Sequence, residues 1–155
     1  MSWNKDLKLK QVDELINELK PLVNHKRPRT GWIKLIRTTL AMSARALGER
    51  VGLAQSRIAL IERGEVDGTI TLNTLEKVAD GLECDVVYYL IPREQSLAKM
   101  RENQAYKNAK ALNDYAELQM NLENQATSTK YQEQEIEKTK DEYLRTWPVD
   151  FWDKL

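Results

Sequence analysis

The twenty residues Ser43 to Glu62, SARALGERVGLAQSRIALIE, constrain this chain more than any other stretch. Leu47 and Val51 lie four apart, the spacing of a helix packed on one side. Gly52 follows at once, where a helix end favours a residue that tolerates positive φ. The hydroxyl of Ser43 can accept an orphan backbone N–H of the first turn. A second helix opens near Gln55, presents Ile58 and Ile61 inward, and leaves Gln55, Ser56 and Arg57 free on its first turn. Such a pair of helices joined by a tight turn has the parts that DNA reading needs. Buried aliphatics fix the helix crossing, and short or forked polar side chains begin the second helix.

The flanks predict more helix. Val12, Leu15, Ile16 and Leu19 follow the i, i+3, i+4, i+7 rule and predict an amphipathic helix over 4–20, bent or ended by Pro21. HKRPRTG, residues 25–31, reads either as a solvated linker or as a DNA-contacting arm built on Lys26, Arg27 and Arg29. Trp32, Ile33, Leu35, Ile36 and Leu40 mark the next helix, with Trp32 expected in the core. After the loop GEVDGTI, Thr71 or Asn73 can cap a helix carrying Leu75, Val78, Ala79 and Leu82.

Residues 85–92 change character. DVVYYLIP concentrates β-branched and aromatic residues and stops at proline, which favours a strand over the alternative of a short helix. A lone strand leaves its backbone groups unpaired, so Val86, Val87, Tyr88, Tyr89 and Leu90 are expected to pair antiparallel with a second copy about a two-fold axis. From Glu94 to about Ala126 the chain lacks glycine and proline and predicts one long helix, with Ala105, Ala109, Leu112 and Ala116 as a seam of small residues. Thr127 to Thr129 break it. A second helix, 130–145, carries Ile136, Tyr143 and Leu144, and the chain closes on TWPVDFWDKL.

Charge divides along the chain. Residues 1–63 hold 13 Lys or Arg against 6 Asp or Glu, and residues 64–155 hold 11 against 18. The basic half suits a polyanion, because Lys and Arg contacts to phosphate supply much of DNA affinity. The acidic half suits solvent or another protein. One cysteine, Cys84, and one histidine, His25, leave no internal disulfide, no cysteine-based zinc cluster and no nucleophile–base grouping. No catalytic residue, cofactor or metal is expected. No apolar run approaches the roughly 20 residues that cross a bilayer, and MSWNKDLKLK lacks a signal's apolar core. A cytoplasmic protein away from membranes is expected.

The stretch IRTTLAMSARALGERVGLAQSRIALIERGEVDGTITLNTLEKVADGLEC resembles a lambda-repressor-like (Xre/Cro) helix-turn-helix domain. That resemblance implies an ion pair between Arg37 and Glu62, and it would place a fifth helix where DVVYYLIP stands. Two positions depart from it: Ala44 replaces a frequent glutamine, and Ala54 a frequent serine or threonine cap. The wider frame, with RPRTGWIKLIRTTLAMS, ERGEVDGTITLNTLEKVADGLECDVVYYLIPRE and an aromatic helical tail, resembles the mobile mystery protein A family from about Leu9 to Trp152. It implies an antitoxin-like regulator paired with a Fic-domain protein. Fic inhibitors of one kind carry Ser or Thr, three residues, Glu, then Gly or Asn. The nearest match, AKMREN at Ala98 to Asn103, has alanine in place of the hydroxyl.

These readings give a mainly α chain: an N-terminal helix and basic linker (1–30), a helix-turn-helix domain (31–84), a dimerisation segment (85–93) and a helical extension (94–155). Gln55, Ser56 and Arg57 are the candidate base contacts, since Gln suits adenine and Arg guanine. Arg37, Ser43, Arg45 and Arg63 are the candidate phosphate contacts. Trp147, Phe151 and Trp152 either bind a protein partner, such as a Fic-domain toxin, or pack on the chain's own N-terminal helix. The expected ligand is double-stranded DNA, as a palindromic operator bound by a homodimer.

Overall fold

A computed structural model describes residues 2–123, 125 and 127–153. Among the described residues seven α-helices run in order: α1 (Ser2–Leu19), α2 (Trp32–Thr39), α3 (Ala44–Val51), α4 (Gln55–Asp67), α5 (Leu72–Gly81), α6 (Leu97–Leu122) and α7 (Thr129–Thr146). A 3-10 helix, Lys20–Asn24, follows α1, so the α-helical pattern stops at Leu19, just ahead of Pro21. The chain forms two compact units, one of residues 21–90 and one of residues 1–20 with 91–155.

In the unit of residues 21–90, α3 packs on α4 and α5, and α2 packs on α4. Ile33, Leu47, Ile58, Ile61, Val78 and Leu82 form its buried core, each contributing roughly 1.5–3 kcal/mol by leaving water. The local chemistry sets the helix ends. Ser43 Oγ accepts from Ala46 N at 3.0 Å, Gly52 takes φ 70° after α3, and Thr71 accepts from Thr74 N at the start of α5. Gly81 lets α5 meet α3, because a Cβ there would lie 2.3 Å from Val51 Cγ1.

Several expectations are corrected. Trp32 is 52% exposed rather than core. It is the first residue of α2, and its neighbour Ile33 takes the inward direction. Leu40 lies beyond the end of α2 and Leu15 points outward, so both are exposed. The strand expected at residues 85–92 is one that pairs with a second copy; in the single chain these residues form neither helix nor strand. No hydrogen bond involves their backbone groups among the described residues.

In the other unit, α6 packs along α7 and against α1. The small-residue seam is real at Ala105 and Ala109, both buried, and opens at Leu112 and Ala116, which are exposed. Asp13 of α1 caps α6, accepting from Leu97 N at 2.7 Å and Ala98 N at 3.0 Å. Arg101 is the hub. Its guanidinium lies 3.3 Å from the Trp147 ring centre, donates to Leu144 O at 2.5 Å and sits 3.7 Å from Asp6. Burial lowers its pKa, and the Asp6 charge partly restores it. Trp147 Nε1 donates to Asp6 Oδ1 at 3.0 Å, and Phe151 is buried, with its carbonyl accepting from Asn108 at 2.7 Å. Trp147 and Phe151 therefore pack internally, and of the three tail aromatics only Trp152 offers a largely exposed ring.

Candidate nucleic-acid interface

The start of α4 presents a continuous outer face. Gln55, Ser56, Arg57, Ala59, Leu60 and Arg63 are exposed, while Ile58 and Ile61 on the opposite side are buried. Three anchors hold this helix. Ile58 and Ile61 enter the core. Glu62, 7% exposed, receives Arg37 Nε at 2.6 Å and Arg37 Nη2 at 3.2 Å. Arg37 Nη1 also donates to Met42 O at 2.9 Å, which ties α2 to the turn before α3. The Glu62 hydrogen bond, as the larger cause, and the Glu62 charge raise the Arg37 pKa, opposed by burial.

The third anchor was not singled out in the sequence. Glu65, 4% exposed, accepts from Trp32 N at 2.7 Å and from Ile33 N at 3.0 Å. It caps α2 from a distance, where the adjacent Gly31 has no side chain to do so. Arg27 donates to the carbonyls of Glu65 and Val66 in the last turns of α4. The basic linker is thus partly tied to the domain, with Lys26 and Arg29 left exposed. The available signal was an acidic residue three positions after Glu62 on a helix with inward Ile58 and Ile61.

The phosphate candidates divide. Only 12% of the Arg37 side chain is exposed, so its place is a scaffold position rather than an open phosphate-contacting one. Ser43 uses its oxygen as a cap acceptor and keeps its O–H as a donor. Arg45 is exposed and forms an i,i+4 pair with Glu49 at 2.9 Å, and Arg63 is exposed on α4. Ala54 at the start of α4 makes no side-chain cap bond. Ala44 opens α3 without a side-chain donor, so the two departures remove polar groups without displacing either helix.

Residues 33–89 match the family model described as Helix-turn-helix. Residues 33–89 thus form a helix-turn-helix domain of the Xre, or lambda-repressor-like, type. No curated protein and no solved structure gives a significant match. The helix-turn-helix domain supports a DNA-binding transcription regulator, with α3 and α4 as the two helices of the motif. Among the described residues, no helix is long and apolar enough to cross a membrane.

Proposed function

We propose that this protein is a sequence-specific transcriptional repressor that binds a palindromic operator as a homodimer. The exposed face from Gln55 to Arg63, on a helix pinned by Ile58, Ile61 and Glu62, carries this reading. Gln55 and Arg57 suit bidentate reading of adenine and guanine, and Ser56 suits either a base or a phosphate. Ser43 and Arg45 at the start of α3 and Arg63 on α4 contact phosphate, with Arg37 holding the scaffold. Val86 to Leu90 join the two copies, placing two recognition helices about one DNA turn, roughly 34 Å, apart.

The resemblance to mobile mystery protein A extends the proposal. The protein represses its own operon as the cytoplasmic, non-enzymatic antitoxin of a Fic-domain toxin. Trp152, the exposed ring of the aromatic tail, is the tail residue open to such a partner. A second reading, a protein-binding inhibitor with a vestigial DNA site, draws on Ala44 and on the uncapped start of α4 at Ala54.

Fluorescence-anisotropy titration on the DNA upstream of its own gene, against scrambled DNA and across a salt series, separates the two. Specific binding that weakens steeply with salt supports the repressor. Equal and weak binding to both DNAs sinks it and favours the inhibitor.

A further inference from the structure

The unpaired segment of residues 85–92 borders an apolar groove. A cavity of about 440 Å³ opens between α2, α4, α5 and this segment, lined by Trp32, Ile36, Leu75, Val86 and Val87, with Glu65 at its polar edge. Val87 is 70% exposed and Leu90 85% exposed, and Tyr88 and Tyr89 are also exposed. A continuous apolar surface next to unbonded backbone N–H and C=O groups is the pattern of an edge awaiting another strand.

The charges choose the occupant and the register. Asp85 and Arg93 bracket the apolar run, eight residues apart, and Tyr89 stands at its midpoint. An antiparallel self-pairing centred on Tyr89 sets each Asp85 opposite the other copy's Arg93, whereas a parallel pairing sets like charges side by side. We infer that a second copy of this chain docks on the groove through a two-fold ladder centred on Tyr89, closing the cavity beside Trp32 and Val87. This deepens the homodimer proposed above and rests on it. It adds the register, the groove, and a link to DNA reading. The groove edge is Glu65, the residue of α4 that also holds the first turn of α2, so the dimer contact and the placement of the recognition helix share one side chain.

Disulfide trapping tests the register. At the two-fold the two residue-89 Cα atoms stand about 4.5–5.5 Å apart, within the reach of a disulfide. The two residue-86 positions then lie six steps apart along the ladder, about 20 Å, beyond that reach. The double variant Cys84→Ala/Tyr89→Cys is expected to cross-link under mild oxidation, and Cys84→Ala/Val86→Cys is not. Asp85→Arg should weaken the dimer roughly tenfold, and Asp85→Arg/Arg93→Asp should restore it. Trp32→Ala should weaken the dimer without unfolding the domain, because that ring is half exposed. A dimer by sedimentation that cross-links at 86 instead of 89, or that the charge swap fails to rescue, overturns the register and leaves the homodimer standing. A protein monomeric by sedimentation at tens of micromolar overturns both.

Discussion

Gly31 stands directly against the carboxylate of Glu65. A Cβ on Gly31 would lie 2.7 Å from Glu65 Oε2, and Gly31 itself has φ +78°. The carboxylate occupies the space that a capping side chain would otherwise fill, and it serves the first N–H groups of α2 from thirty-odd residues away. Gly31→Ala is expected to lower stability by about 2 kcal/mol, through left-handed backbone strain and the displaced carboxylate. Thermal unfolding should fall by several degrees, and an unchanged midpoint would refute the close approach of Gly31 to Glu65. Glu65→Ala should cost a similar amount, roughly 2 kcal/mol, by orphaning two N–H groups.

The Arg37–Glu62 pair should behave as a unit. Arg37→Ala leaves Glu62 buried without its partner and should destabilise by about 3 kcal/mol. Arg37→Met with Glu62→Leu should be milder than either single change, because no uncompensated charge remains. A double-mutant cycle by urea unfolding measures this. Additive effects would show that the 2.6 Å contact carries no coupling.

The reading face should be separable from stability. Arg57→Ala and Gln55→Ala should each weaken operator binding by about 10- to 100-fold while leaving the unfolding midpoint within a degree or so, since both side chains are exposed. Arg45→Ala should weaken binding evenly across sequences and flatten the salt dependence by about one phosphate. Anisotropy titrations across a salt series distinguish the two classes. Loss of specificity in the Arg45 variant would move the base-reading residues.

Gly81 reports on close helix packing. Gly81→Ala brings a methyl within 2.3 Å of Val51 Cγ1 and should cost about 1–3 kcal/mol. Val51→Ala in the same chain should recover part of that loss. Absence of rescue in thermal melts would place the clash elsewhere.

Arg101 is the corresponding test in the unit of α1, α6 and α7. Its Nε is buried without a partner, yet its other nitrogens reach Leu144 O and Asp6, and its plane stacks on Trp147. Arg101→Ala should destabilise by about 2–4 kcal/mol, since it removes stacking and leaves a carbonyl unserved. Trp147→Leu should lose only the stacking part, and far-ultraviolet thermal melts of the two variants should rank in that order.

What the sequence determined by itself is local. Ser43, Gly52 and Thr71 mark helix ends because capping and positive φ depend on one residue and its immediate neighbours. Ile58 and Ile61 point inward because helical period alone sorts a face, so the motif and its exposed Gln55, Ser56 and Arg57 were legible before any fold. Tertiary structure decided what depends on distant partners. Glu65 became a cap because α2 begins where α4 can reach it. Trp32 left the core because Ile33 took the inward place, and Phe151 entered one because Asn108 and Arg101 converge there. Arg27 became a brace rather than an arm for the same reason, that its guanidinium found carbonyls nearly forty residues away. Periodicity carries no information about such meetings, because they depend on how helices pack and not on their spacing in the chain.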